Sequence, residues 1–261
     1  MKLDIYQIDA FAEQPFEGNP AAVVPLEKWL PDTTMQAIAE ENNLAETAFF
    51  VPSNNGFHIR WFTPNTELNL CGHATLAAAY VLFNHLAHKA DTVSFSSLSG
   101  SLSVIRKGNL LTLNFPSQPV TPCEVPAALS LGLGIDPSKC FSSEDYLAVF
   151  ETEEQLASIR PNHEHLKELA YRGVIATAPS KNYDFVVRFF GPKVGVPEDS
   201  VTGSAYTQLA PYWANMLGKT KLTAKQISPR SGKVCCELQN DRVLISGNAV
   251  KYLEGHIEVK I

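Results

Sequence analysis

The pattern of hydrophobic and polar residues along the chain predicts a strand-rich fold with few helices. Apolar or alternating runs bounded by turn residues predict strands over 3–11, 48–51, 57–63, 91–96, 101–106 and 110–115. The last two form a predicted hairpin that turns at residues 107–109 (KGN). Asp32 or Thr33 can cap a first helix over 33–42, and Gln36 is spaced from Thr33 as in a capping box.

Two long apolar runs each follow a short motif that contains glycine. Residues 71–75 (CGHAT) precede the run 76–86, and residues 202–206 (TGSAY) open a run that ends at residue 217. Glycine lets the backbone turn tightly beside a ligand, and a helix start presents unpaired N–H groups that attract anions. The two motifs therefore predict a carboxylate-bearing substrate held between two half-sites, one with His73 and one with Ser204.

Several motifs recur in the same order at offsets of 127 to 132 residues, among them the two glycine motifs. This recurrence predicts an internal two-fold repeat. Two copies are too few for a solenoid, so we expect two similar lobes with a cleft between them. The predicted lobes span residues 1–117 and 123–247, joined by a proline-dense linker, and a terminal strand over 248–261 could cross back to the first lobe.

Composition narrows the classes of function. The 261 residues are 45% hydrophobic and 18% charged, as in ordinary globular proteins. A net charge of −6 without a basic block argues against nucleic acid or an anionic membrane as partner. Five cysteines without C-x-x-C spacing, and no H-x-x-x-H, argue against a disulfide framework and a metal site. No apolar run suits a signal peptide or a bilayer span. We expect a cytoplasmic protein.

The two halves differ in their acidic residues. Glu46 has no acidic counterpart in the second half, and the second half carries three more residues before its glycine motif, in a stretch that includes Glu198 and Asp199. Glu46 precedes an apolar strand, so it is either a solvated turn residue or strand-end charge or, if it lines the cleft, a general acid/base. Asp199 is either a charge near a helix start or a site residue. One acid from each half, at non-equivalent places, is what a directional catalyst needs.

Three further side chains carry candidate chemistry. His73, at a helix start, is expected to have a lowered pKa and to be neutral at pH 7, unless it only caps or packs. Cys71 could be a reactive thiolate, but the matching Thr202 cannot mirror it, so we interpret Cys71 as a packing residue. Ser204 lacks the G-x-S-x-G elbow of serine hydrolases. It can cap the helix or bind a carboxylate with the Gly203 amide.

Residues 16–23 (FEGNPAAV), the Glu46 segment, residues 71–75 and residues 198–205 (EDSVTGSA) resemble the PhzF-like (phenazine biosynthesis protein) family. The resemblance is colinear over nearly the whole chain, although Ser200 replaces a usual proline. The family is similar in fold to diaminopimelate epimerase. The resemblance implies an α+β fold of two pseudo-symmetric lobes, each a curved, mainly antiparallel sheet or barrel around a central helix.

The resemblance also implies a homodimeric, metal-free and cofactor-free isomerase that acts on a small cyclic or hydroxylated amino-acid-like carboxylate. Glu46 would lift a proton from one carbon and return it to another. His73, Asp199 and Ser204 would bind and polarise the substrate. Further contacts with the substrate would come from Gly18, Asn19, Gly72, Thr202 and Gly203. The alternatives are a non-catalytic carboxylate-binding protein and a single-thiol racemase or lyase that uses Cys71.

Overall fold

The computed structural model describes residues 1–260, which divide into two units. The first comprises residues 1–114 and 246–260, and the second comprises residues 115–245. The α-helices are α1 (Asp32–Asn42), α2 (Gly72–Asn84), α3 (Ala127–Leu133), α4 (Glu153–Ser158), α5 (His163–Lys167) and α6 (Tyr206–Leu217). None of the helices in residues 1–260 is both long and apolar enough to cross a membrane.

Strands make up most of the remaining ordered backbone. They are β1 (Lys2–Ala10), β2 (Asn19–Pro25), β3 (Glu46–Ser53), β4 (Gly56–Phe62), β5 (Glu67–Leu68), β6 (Thr92–Ser97), β7 (Gly100–Lys107), β8 (Leu110–Pro116), β9 (Thr121–Pro122), β10 (Lys139–Ser142), β11 (Tyr146–Val149), β12 (Val174–Pro179), β13 (Phe185–Gly191), β14 (Val196–Asp199), β15 (Lys221–Gln226), β16 (Gly232–Gln239), β17 (Arg242–Gly247) and β18 (Ala249–Glu258).

In the first unit, a mixed sheet surrounds one buried helix. Strand β1 pairs antiparallel with β2 and with β18. Strands β2 and β3 are parallel, β3 and β4 antiparallel, and β4 and β6 parallel. Helix α2 packs against β1, β2 and β3, and it is apolar and buried on nearly every face, as a core helix must be.

The second unit repeats this order of pairings. Strands β11 and β12 are parallel, β12 and β13 antiparallel, and β13 and β15 parallel. Helix α6 packs against β15 and β16. The predicted α+β fold, with mainly antiparallel sheets around central helices, is confirmed.

The predicted capping box of α1 is wrong. The N-cap residue is Pro31, which offers no side-chain hydrogen bond. The Gln36 side chain instead donates to the Thr63 carbonyl, 2.9 Å away. A capping box does form at α4, where Thr152 and Gln155 exchange hydrogen bonds between side chain and backbone. The spacing of residues in the sequence could not show that the Gln36 side chain bonds instead to a carbonyl distant in the sequence, that of Thr63.

The proline-dense segment is bonded into the second unit. The Ser117 amide donates to the Asp241 carbonyl at 2.8 Å, and the Gln118 amide donates to the Thr207 carbonyl at 2.9 Å. Residues 121–122 form β9, which pairs with β10. The segment predicted as a linker is therefore held by hydrogen bonds.

An arginine in each unit forms a two-pronged ion pair with a glutamate that precedes the glycine motif. Arg60 donates to both carboxylate oxygens of Glu67 at 2.6 and 2.7 Å. Arg188 donates to both oxygens of Glu198 at 2.9 Å. Glu198, which the sequence grouped with Asp199 as a candidate acid, therefore has a structural role.

A second arginine of the second unit neutralises a fully buried acid. Asp145 has no exposed surface, and its two oxygens accept from Arg172 at 3.1 and 2.6 Å. Gln208 on α6 also donates to Asp145, at 3.3 Å. The parallel pairing of β11 with β12 brings these partners together, because Asp145 and Arg172 lie just before the paired residues Tyr146 and Val174.

Arg172→Met should lower the free energy of unfolding by about 3 kcal/mol, because it leaves the buried Asp145 carboxylate without its counter-charge. The matched control is Lys167→Met, which removes an ion pair with Glu164 of similar length, 2.7 Å, on the surface of the same unit. Exposed pairs contribute about 1 kcal/mol or less. Urea unfolding of both variants checks this, and equal losses would contradict it.

Candidate functional site

Glu46 is the first residue of β3, and the parallel register with β2 places it beside Ala21. Its side chain is only 12% exposed, so the solvated-turn alternative is wrong. Its Oε2 lies 2.8 Å from Nε2 of His73. Among the described residues neither atom has a hydrogen-bond partner, so the contact is an ion pair without hydrogen-bond alignment.

His73 is the second residue of α2, and its ring is almost completely buried. The Nδ1 atom lies 3.3 Å from the Asn19 amide nitrogen and 3.6 Å from the Cys71 sulfur. The ring therefore stands between Glu46 on one side and Asn19 with Cys71 on the other. Three predicted site residues of the first unit, Glu46, His73 and Asn19, therefore come together. They lie beside Cys71, which the sequence predicted to be a packing residue.

A tight turn at Gly18 places Asn19 beside His73. Gly18 has φ +66°, and a Cβ atom built there would lie 2.1 Å from the Ala10 carbonyl oxygen. Only glycine fits both the left-handed conformation and the close approach. Asn19 follows at the start of β2 and is 1% exposed. The expected role of Gly18 in shaping the backbone is thus visible in the structure, and its contact with a substrate stays a prediction.

The electrostatics correct one prediction. Burial lowers the pKa of His73, but its contacts with Cys71 and Glu46 outweigh the effect of burial, so the pKa lies well above its usual 6.5. Burial, followed by the charge of Glu46, raises the pKa of the Cys71 thiol. Cys71 is thus a neutral thiol at neutral pH, and the charge facing His73 is that of Glu46. The direction of this pKa shift is opposite to the lowering expected for His73, because the nearby Glu46 carboxylate outweighs the helix dipole.

Glu46, Cys71 and His73 also offer metal-ligating atoms that lie within 4.8 Å of one another. The sequence lacks paired histidine motifs, which favoured a site without a metal. The cluster was not predictable from such motifs, because Glu46 is distant in sequence from Cys71 and His73. Glu46 and Cys71 face different nitrogens of the same ring. One ion bound by all three side chains would therefore require the ring to turn.

In the second unit, a buried glutamine forms hydrogen bonds with the residues that precede α6. Gln226 accepts from the Thr202 amide at 2.9 Å and donates to the Asp199 carbonyl at 2.7 Å. The Thr202 hydroxyl donates to the Asp199 carboxylate at 2.6 Å. Gly203 then begins a 3₁₀ turn, and the α-helix proper starts only at Tyr206. Asp199, Thr202 and Gly203 are thus held as one local group.

Ser204 belongs to this turn and is oriented by Arg172. The Arg172 Nη2 atom donates to the Ser204 oxygen at 3.0 Å and to the buried Asp145 at 2.6 Å. Because the Ser204 oxygen accepts this bond, its hydroxyl hydrogen is directed elsewhere. The sequence did not identify Arg172, Asp145 or Gln226 as site residues, because each meets its partners through strand pairing.

Comparison with known proteins places this geometry in a family. The sequence profile described as "Phenazine biosynthesis-like protein" (PhzC-PhzF) matches residues 8–255. An uncharacterized isomerase of Pseudomonas aeruginosa is 50% identical over 99% of this chain and all of its own length.

Solved structures agree. A PhzF family protein of Enterococcus faecalis has a TM-score of 0.97 at 44% identity and covers 99% of this chain and 100% of its own. A hydroxyproline epimerase of Agrobacterium vitis, solved with trans-4-hydroxy-L-proline, has a TM-score of 0.65 at 8% identity, covering 98% and 92%, which shows a shared fold alone. The chain belongs to the phenazine biosynthesis-like (PhzC-PhzF) family.

Proposed function

We propose that this protein is an isomerase that moves a proton within a small cyclic or hydroxylated amino-acid-like carboxylate, with Glu46 as the general acid/base. The single observation that carries the proposal is the nearly buried Glu46 carboxylate, whose Oε2 atom lies 2.8 Å from Nε2 of His73. Curated relatives named as isomerases support the reaction class.

The proposed chemistry needs one carboxylate and one proton. Glu46 takes a proton from a substrate carbon, and the electron pair of the broken C–H bond moves into the adjacent π-system. Glu46 then delivers a proton to another carbon of that system, and exchange of the Glu46 proton with solvent between the two steps carries solvent label into the product. The positive charge of His73 stabilises the ionised Glu46 before the transfer.

Residues of the second unit are proposed to bind the substrate's polar groups. Ser204 accepts from Arg172, which leaves its hydroxyl hydrogen for a substrate oxygen. The Gly203 amide lies at the start of a helical turn and suits a carboxylate. Asp199 would accept a substrate N–H or O–H. In the first unit, the Gly72 amide at the start of α2 has the corresponding role.

Glu46→Gln should lower turnover by about 10²- to 10⁴-fold, because an amide cannot accept the substrate proton. The assay follows deuterium uptake from D₂O into a panel of cyclic amino acids that carry a ring C=C bond, by mass spectrometry. Glu27→Gln, on an exposed residue, is the control and should retain wild-type exchange. Binding of a panel member without exchange would favour the non-catalytic binder, and undiminished exchange in Glu46→Gln would remove Glu46 from the mechanism.

Glu46→Gln should also lower the pKa of His73, since it removes a charge that raises this pKa and leaves the burial that lowers it. The imidazole should then lose its proton at a lower pH than in the wild type. An NMR titration of the histidine ring protons measures this without a substrate. An unchanged His73 titration in the variant would show that the two side chains are not coupled.

Cys71→Ala should keep most of the turnover, because the raised pKa of this thiol makes it a poor nucleophile at neutral pH. In the folded wild-type protein, Cys71 should react with iodoacetamide more slowly than the half-buried Cys235. Peptide mapping gives both rates. A loss of turnover as large as that of Glu46→Gln would restore the single-thiol racemase.

A further inference from the structure

Two cysteines of the second unit, remote in sequence from the candidate site residues, lie side by side. The sulfur atoms of Cys123 and Cys140 are 3.4 Å apart. Strands β9 and β10 are antiparallel with Pro122 opposite Phe141, which places Cys123, the next residue, opposite Cys140. The Cys123 amide donates to the Cys140 carbonyl at 3.0 Å, so the cross-strand pairing extends to these residues.

This backbone arrangement suits a disulfide. Directly opposed, hydrogen-bonded residues of antiparallel strands have Cα atoms about 5.5 Å apart. A disulfide spans Cα separations of about 4.4 to 6.8 Å with sulfurs about 2.05 Å apart. Side-chain rotation can therefore close the remaining gap while the strands stay paired. The other close cysteines, Cys235 and Cys236, are neighbours on β16, and their side chains point to opposite faces.

We propose that Cys123 and Cys140 are a modification site, at which a hydroperoxide converts the two thiols into a reversible disulfide. The Cys123 sulfur attacks the peroxide, the O–O bond breaks, and Cys123 becomes a sulfenic acid while one water leaves. The Cys140 sulfur then attacks the Cys123 sulfur, the S–O bond breaks, and hydroxide leaves with the Cys140 proton as a second water. Two thiols and one hydrogen peroxide thus give one disulfide and two waters.

The two thiols differ in a way that fixes the order of these steps. Cys123 is partly exposed, whereas Cys140 is 5% exposed. Burial, together with the neighbouring Cys123, raises the pKa of Cys140 to about 12. The accessible Cys123 therefore meets the oxidant first, and the covered Cys140 completes the bond. The new bond closes the loop that contains α3.

The test exposes the reduced, full-length protein to stoichiometric hydrogen peroxide, alkylates the remaining thiols in denaturant, and maps the peptides. Trypsin cuts after Lys139 and so separates Cys123 from Cys140. We expect one linked pair, residues 108–139 with 140–167, that dithiothreitol converts back to two alkylatable peptides. Cys71 and Cys236 should remain unlinked.

Variants make the result specific. Cys235→Ser should leave the cross-link unchanged, and Cys123→Ser should abolish it. In Cys140→Ser, Cys123 should instead accumulate as a sulfenic acid that dimedone traps. The proposal is overturned if Cys123 is oxidised in the wild type while Cys140 stays a thiol, or if Cys123 links to Cys235 as readily as to Cys140.

Discussion

The ion pair between Glu46 and His73 is the interaction on which the candidate site of the first unit depends. Opposite charges attract far more strongly in a buried setting than in water, and this attraction opposes the desolvation cost of burying both groups. The 2.8 Å approach is fixed by two regular elements, since Glu46 begins a strand and His73 is the second residue of the core helix. Asn19 and Cys71 hold the other side of the ring.

The second unit has the same order of strand pairings, but its corresponding region holds different chemistry. Thr202 occupies the place that Cys71 has in the first unit, and it bonds to Asp199. Where the first unit has a histidine, the second has Ser204, oriented by Arg172. Two units with the same order of strand pairings therefore carry different side chains at corresponding positions. This difference suits a reaction whose steps are not equivalent.

Local patterns in the sequence predicted most elements, because strand and helix periods are properties of short segments. The strand predicted over 57–63 is Gly56–Phe62, and the helix after Gly72 runs to Asn84. Family motifs supplied Glu46 and His73, and the structure brings these together. Partners that meet only through strand pairing were not predictable, as Arg172 and Asp145 show. The direction of the His73 pKa shift was not predictable for the same reason, because Glu46 is distant from His73 in the sequence.

The pairing of β18 with β1 has a consequence for how the protein is made. Strand β18 follows the whole second unit in the sequence, yet it completes the sheet of the first. The second unit is continuous, so a ribosome delivers all of it before β18 emerges. During synthesis, one side of β1 therefore remains unpaired until β18 has been made. An open strand edge of this kind is a known hazard for aggregation, and a nascent chain with this topology is exposed to it until the final strand arrives.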